Sequence, residues 1–319
     1  MNAITLSFDA ARAADREAGR RLGASRRALL IVNPTAGARK RSRARRAVEA
    51  LLGLGVAVTV RETARRGDAE QYAAAAMRSD FDVVVAAGGD GTINEVANGL
   101  GRGSPPLAVV PLGTANVLAS ELGLPLSPEA AARVIAEAQP SAFFAGVANG
   151  RRFLQMAGAG FDAHVVEGVS PGLKRRLGKG AYVWRTGVEL ARYAFPPLRV
   201  ELDGEAFEAA STIVAKGRFY GGRFVAAPLA SPERASFEVV LFRRSGRIGA
   251  LRSLAALGLD RLRLLPEVEV RTARSVAIAG PEGAPVQADG DIVGRLPMRI
   301  QIGAQRLWAL RPDRPVGHS

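Results

Sequence analysis

The chain has 319 residues, 44 Lys and Arg against 30 Asp and Glu, and a formal net charge of +14, with 48% hydrophobic residues to fill folded cores. No apolar run approaches the roughly 18 residues that cross a bilayer, and the absence of cysteine excludes disulfides and thiolate metal centres. Early charges in MNAITLSFDAARAADREAGRR argue against a signal peptide, so a cytoplasmic location is expected. The positive charge suits an anionic partner, but it is carried almost wholly by arginine. Only Lys40, Lys174, Lys179 and Lys216 are lysines, so a GC-rich coding bias accounts for the total equally well.

Residues 1–26 have helical tendency without an apolar stripe and are expected to form an N-terminal extension. From Arg27 strands and helices alternate. Ala28–Val32 reads as a buried strand stopped by Asn33-Pro34, and residues 40–54 as a basic amphipathic helix. Val56–Arg61 is strand-like, Asp68–Arg78 helical, and Phe81–Ala86 a strand that runs into a glycine turn and a helix to about Asn98. Leu107–Pro111 is a further strand, followed by a polar turn and a short helix. Ser127 as N-cap and Pro128 at the first position open one more helix, to Gln139. This order predicts an α/β domain over residues 27–141, a parallel sheet with helices on both faces.

Beyond it the texture becomes short β-like runs punctuated by Gly and Pro: Phe143–Val147, Arg152–Ala157, Leu198–Leu202, Phe207–Val214, Phe237–Phe242, Val268–Val270, Ser275–Ala279 and Met298–Ile302. Helical stretches interrupt near 172–193 and 247–262. Residues 142–319 are therefore expected to form a mainly antiparallel β-sandwich, its last residues packing back on the first domain.

Three strand ends of the first domain carry polar, glycine-bearing turns: Asn33-Pro34-Thr35-Ala36-Gly37, Gly88-Gly89-Asp90-Gly91-Thr92, and Pro111-Leu112-Gly113-Thr114-Ala115-Asn116. Glycine permits positive φ and close backbone approach, and a helix start offers free N–H groups and partial positive charge to a phosphate. One such turn is an ordinary connection. Three of them at the carboxyl ends of parallel strands make a phosphate cradle. Neither the P-loop nor the dinucleotide fingerprint is present. Asp90 would repel a phosphate, so it is read as an organiser of Mg²⁺ or of the turn, with Asn94 and Glu95 reaching back from the following helix.

GGDGT, with NPTAG upstream and PLGTAN continuing as VLASELGLP, resembles the diacylglycerol kinase catalytic-domain family, which includes bacterial soluble lipid kinases and the sphingosine and ceramide kinases. GGDGT alone is shared with NAD kinases. The likeness continues through AGAGFDAHV (157–165), LKRRLGKGAYVW (173–184), GGRFVAAPLA (221–230) and QADGD (287–291), covering all but the N-terminal extension. It implies ATP with Mg²⁺ in the cleft between the domains, bound by Asn33 to Gly37, Thr63 with its nearby Gly67-Asp68-Ala69, Gly88 to Glu95, Gly113, Thr114 and Asn116. It also implies a catalytic base in the family's Asp-Gly-Glu element, here Asp289-Gly290-Asp291. Asp289 is the expected base and Asp291 the close alternative. For Lys40 or Arg39 two readings stay open, contact with phosphate oxygens and a solvated helix face.

Two positions depart from the family pattern. Bacterial members commonly have an acidic Asp-Asp-Gly-like turn after Ala-Pro-x-Ala that helps bind a structural Mg²⁺. Here the stretch is Ser231-Pro232-Glu233-Arg234-Ala235-Ser236, and Arg234 is read as a stand-in for the metal's charge. Lys216 stands where Asn is usual before Gly. The segment Leu173–Lys179 with Tyr182, Trp184 and Arg185 mixes basic and aromatic residues, which suits peripheral contact with an anionic membrane surface at the inner face. Phe161, Phe219 and Phe224 are candidates for the walls of a lipid pocket. An ATP-dependent lipid kinase is the expected function; an NAD kinase-like phosphotransferase and a catalytically inactive nucleotide- or lipid-binding relative are the alternatives. No nucleic-acid-binding signature accompanies the charge. Whether the chain forms a homodimer is left open.

Overall fold

The computed structural model describes residues 26–33, 38–169 and 180–312. The first domain runs β1 (Arg27–Val32), α1 (Ala38–Gly53), β2 (Ala57–Glu62), α2 (Asp68–Ala75), β3 (Val83–Gly88), α3 (Asp90–Gly99), β4 (Leu107–Pro111), α4 (Val117–Glu121), α5 (Pro128–Glu137) and β5 (Pro140–Phe143). Strands β2, β1, β3 and β4 lie side by side in parallel. Every residue of β3 (VVVAAG) is buried, as expected for a parallel strand covered on both faces. On one face Ala73, Ile93 and Val96 of α2 and α3 pack against Leu29, Val84 and Val109. On the other, Leu51 and Ile135 of α1 and α5 pack against Leu30, Val85 and Val110. Ser127 caps α5 by accepting the Ala130 N–H at 3.1 Å.

The second domain contains β6 (Gly146–Ala148), β7 (Arg151–Phe153), β8 (Met156–Ala159), α6 (Phe161–Gly168), α7 (Gly180–Arg192), β9 (Leu198–Leu202), β10 (Glu205–Ala209), β11 (Ser211–Ala215), β12 (Phe219–Tyr220), β13 (Phe224–Val225), β14 (Phe237–Phe242), α8 (Gly246–Gly258), β15 (Val268–Ala273), β16 (Ser275–Ala279), β17 (Pro285–Ala288), β18 (Asp291–Arg295) and β19 (Met298–Ile302). It is a sandwich of two six-stranded antiparallel sheets, ordered β10-β9-β16-β19-β6-β7 and β15-β14-β11-β8-β17-β18. Phe153, Val200, Val276 and Ile300 of one sheet meet Val214, Phe237, Val239 and Val286 of the other. The rings of Phe153 and Phe237 stack at 5.9 Å, and truncating either to alanine would cost about 3–5 kcal/mol.

Two elements differ from the sequence expectation. The run Phe207–Val214 is two strands, β10 and β11, because the chain turns at Ala210. Residues 285–295, which the strand-like runs left out, form a hairpin. The last strand, β20 (Leu307–Leu310), enters the first domain's sheet between β4, to which it is parallel, and β5, to which it is antiparallel.

Candidate active site

Register brings the first domain's loops together. Gly88 at the end of β3 lies opposite Pro111 at the end of β4, and Val32 of β1 lies opposite Ala87. The glycines serve this meeting of loops. A Cβ on Gly113 would sit 2.7 Å from Gly89 Cα and 2.7 Å from Asn116 Oδ1, and one on Gly88 would sit 2.5 Å from the Thr92 side chain. Contrary to the expectation of positive φ at glycine, the left-handed residue here is Asn116, at φ 48°. Gly91 is exposed, and a Cβ there would meet nothing.

Helix α3 begins at Asp90, three residues earlier than its apolar pattern indicates. The Asp90 carboxylate accepts the Leu118 N–H at 3.3 Å from the start of α4, tying the second loop to the third. Burial pushes its pKa up, opposed by the amides of Leu118, Val117, Asp90 itself and Asn116. Asn116 Oδ1 and the Gln155 side-chain amide are buried with no hydrogen-bond partner among the described residues, so this cleft offers polar groups to a bound molecule. Thr92, Asn94, Glu95 and Gly113 are half-buried around it and Thr114 is exposed.

Thr63 is buried, and its N–H donates to Val32 O at 2.9 Å. The following turn is pinned by Asp68, which accepts the N–H groups of Ala64 and Arg65 at 2.8 and 2.9 Å. Asn33 follows β1; Pro34, Thr35, Ala36 and Gly37 lie outside the described residues. Neither Arg39 nor Lys40 pairs with a described acid. Arg43 of the same helix donates to Pro111 O and Leu126 O at 3.2 and 2.5 Å instead.

From the second domain comes the β17–β18 hairpin. Asp289 (φ 48°) and Gly290 (φ 82°) form its two-residue turn, and left-handed backbone at both central positions is the reason for Asp-Gly there. The Asp289 carboxylate is saturated. Oδ1 accepts the N–H groups of Gln155 and Met156 at 2.9 and 3.1 Å, and Oδ2 accepts the Leu154 N–H at 2.7 Å and Asn94 Nδ2 at 2.8 Å. Burial pushes this carboxyl up while its four donors favour the anion. Asp291 is different: its side chain is 47% exposed, and Oδ2 pairs with Arg66 of the first domain at 2.7 Å.

The domains are clamped behind this turn by residues the sequence reading did not single out. Asn98 Nδ2 donates to Arg152 O and Asn98 Oδ1 accepts the Arg152 N–H, at 3.0 and 2.9 Å. The Arg152 guanidinium caps the end of α3 on Ala97 O and Leu100 O at 2.8 and 2.5 Å, and reaches Gln305 Oε1 at 3.0 Å. Across the cleft, Glu121 at the end of α4 accepts the Arg218 N–H and Nε at 2.7 and 3.0 Å. The readable signal was Asn94 and Asn98, an i,i+4 polar pair on a helix whose other face is core.

Beside the hairpin the second domain has a partly open, largely apolar pocket, walled by Phe161, Val165, Phe195, Leu254 and Leu257 among others. Its polar edge is Asp162, which accepts Tyr220 Oη and, at 2.7 Å, Gln287 Nε2. Gln287 Oε1 in turn accepts the Gly290 N–H at 3.0 Å, so this edge is bonded directly to the acidic turn. Burial pushes the Asp162 carboxyl up and the Tyr220 hydroxyl well up. Of the three candidate phenylalanines only Phe161 lines the space. Phe219 lies under Arg218 and Phe224 is exposed. Tyr182 packs inward against the Phe161 cluster while Trp184 is 65% exposed; Leu173–Lys179 lies outside the described residues.

Among the described residues no three His, Cys, Asp or Glu side chains converge on one point, and none of the helices is long and apolar enough to cross a membrane.

Residues 27–148 match the family model of the diacylglycerol kinase catalytic domain, and residues 155–311 match that of the YegS C-terminal NAD kinase beta sandwich-like domain. A protein of Pseudomonas putida named "probable lipid kinase YegS-like" is 36% identical over 255 residues, 76% of this chain and 84% of that one. A Staphylococcus aureus protein named diacylglycerol kinase is 30% identical over 281 residues, 85% of this chain and 88% of that one. The fold is shared with a crystal structure of a diacylglycerol kinase from Bacillus anthracis (TM-score 0.73, 24% identity, 90% of this chain and 98% of that one). It is shared more distantly with yeast NADH kinase (TM-score 0.51, 14% identity, 91% of this chain and 84% of that one). Both halves and the order of its motifs therefore agree: this chain belongs to the diacylglycerol kinase catalytic-domain family, in the branch whose second half is the YegS C-terminal domain.

Proposed function

We propose that this chain is an ATP-dependent lipid kinase, moving the γ-phosphoryl group of ATP to the hydroxyl of a diacylglycerol-like or sphingoid-like lipid. The observation that carries this reading is the 2.8 Å bond from Asn94, on the glycine-loop helix, to Asp289 in the hairpin of the other domain. It holds an acidic turn beside a loop suited to phosphate. The starts of α3 and α4, with Asn33–Gly37, Thr63, Thr92, Thr114 and Asn116, receive the nucleotide.

Mg²⁺, when bound, neutralises charge on the phosphate oxygens. The residues would fit an ion bound chiefly through the nucleotide, because no third acid joins Asp90 and Glu95 at the loop among the described residues and one Asp90 oxygen is committed to Leu118.

Asp291 is the proton acceptor. The acceptor oxygen bonds to the γ-phosphorus as its proton passes to the Asp291 carboxylate, and the bond to the β-phosphate oxygen breaks to leave ADP. Asp289, with both oxygens filled by four donors, positions that turn. This inverts the order expected from the family motif, on the strength of the hydrogen bonds. Asp291 is one methylene shorter than the family's glutamate, and its release from Arg66 would free it for the acceptor.

The apolar space beside the turn takes the acyl or alkyl chain. The outer faces of the two helices beside it carry Val183, Trp184, Ile248 and Leu251, each more than half exposed, with Arg247 and Arg252 among them. That mixture suits peripheral contact with an anionic membrane. Radiolabelled ATP supplied with a panel of diacylglycerol, sphingoid base, ceramide, phosphatidylglycerol and NAD tests the reading. Label should enter a lipid and be lost in Asp291→Asn; label entering NAD and no lipid would overturn it.

A further inference from the structure

The turn Ser231–Ser236 lies where acidic members of the family hold a structural Mg²⁺, and its residues do not fit one. Glu233 is exposed and pairs with Arg311, Glu238 accepts the Leu229 N–H, and no group of three acids converges there among the described residues. What fills the turn is an ammonium. Lys216, fully buried just beyond β11, donates from Nζ to Ser231 O at 2.5 Å and to Arg234 O at 2.7 Å. A metal bound to these carbonyls at its usual 2.0–2.6 Å would collide with that cation. Arg234, the residue expected to supply the charge, is exposed and contributes its backbone carbonyl instead.

We propose that the Lys216 ammonium is a tethered replacement for the structural metal: it gathers the carbonyls of the Ser231–Ser236 turn and makes that turn independent of divalent cations. Several observations support this. The turn makes specific contacts that an ordered cation would secure: Pro232 O accepts the N–H of Phe144, just after β5, at 2.8 Å, and Ser231 O accepts the Arg234 N–H at 3.2 Å. Lys216 is itself fixed, because its N–H and that of Gly217 both donate to Gln155 O, at 2.7 and 3.0 Å. The N–H of Gln155 is one of the donors to Asp289. The turn is thus linked through Lys216 and Gln155 to the support of the acidic hairpin. Burial draws the lysine down to about 8, against the pull of Glu121, so it remains a cation at neutral pH. Of the charged groups around it, Glu121 acts on it and is committed to Arg218, and Glu238 on β14 lies opposite the neighbouring Ala215.

The test uses the full chain without nucleotide. Hydrogen exchange over 231–236 and thermal unfolding are measured in EDTA and in excess MgCl₂, for wild type and Lys216→Met. In wild type both readouts should be the same with and without the metal. In Lys216→Met, exchange over 231–236 should rise by about tenfold or more while amides of the sheet β14–β11–β8 stay protected. Protection of wild-type 231–236 that appears only with Mg²⁺ would overturn the proposal, and so would unchanged exchange in a folded Lys216→Met. If that variant does not fold, the wild-type comparison decides alone. Because no kinase activity is read, failure here is separable from failure of the proposed function.

Discussion

Substituting Asp289 and Asp291 separately distinguishes a positioning carboxylate from a reacting one. In Asp289→Asn, the new amide can keep two acceptor bonds on one side. On the other it turns an NH₂ toward two donors, either the Gln155 and Met156 amides or the Leu154 amide and Asn94. Asn94 cannot simply turn its oxygen inward, because Asn94 Oδ1 already accepts from Asn98 at 3.0 Å. Two lost bonds to a charged acceptor, with donors left facing a donor, cost about 2–4 kcal/mol. For domains of this size that lowers Tm by about 5–12 °C. In Asp291→Asn only a half-exposed ion pair with Arg66 is lost, worth at most about 1 kcal/mol. Removal of a proton acceptor should nevertheless lower kcat by about 10²–10⁴-fold. Thermal unfolding followed by radiolabelled ATP transfer into lipid reads both effects. An Asp289→Asn enzyme with unchanged Tm, or an Asp291→Asn enzyme with near wild-type turnover, would refute the division of roles.

Gly113→Ala should push the third loop off the second, at a cost of about 1–3 kcal/mol, and weaken nucleotide binding measured by fluorescence titration; equal affinity would mean the loops separate freely. Trp184→Glu should reduce pelleting with anionic liposomes while leaving turnover of a detergent-dispersed lipid unchanged, and equal pelleting would remove the membrane role of that face. Lys216 also predicts a pH dependence. Its pKa is lowered from 10.5 to about 8 in the fold, so between those values the unfolded chain holds a proton that the folded chain has released. Stability relative to Lys216→Met should therefore rise with pH across that window, by at most about 1.4 kcal/mol per pH unit. Denaturant unfolding of both proteins below and above that pKa would show it, and a constant gap would mean the ammonium is well solvated.

The first domain was legible because its central strands β1, β3 and β4 are buried on both faces: runs such as ALLIV and VVVAAG admit no other reading between turn signals. The three loops were legible because polar residues beside glycine at strand ends have few other uses. The clamp was not. Arg152 and Gln305 gain their roles only once β7 and the approach to β20 lie against α3, and neither stands out within its own segment. The acidic turn was found, but the balance between its two aspartates was hidden, since three of the four donors to Asp289 are backbone amides that any residues at 154–156 would supply. Lys216 was visible as an oddity after the apolar STIVA run, while its partners are main-chain carbonyls and carry no side-chain signature.

The placement of β20 has a consequence for how the chain comes to be folded. Residues 27–143 emerge from the ribosome long before Leu307–Leu310, yet β4 and β5 do not pair with each other; the strand that joins them is β20. Until the sandwich has been synthesised, the first domain has two unpaired strand edges, and Phe143 and Leu107 lack Leu307 and Ala309 as packing partners. A fragment ending near residue 150 should therefore aggregate rather than bind nucleotide, and late closure by the final strand makes the order of translation the order in which the kinase can acquire its site.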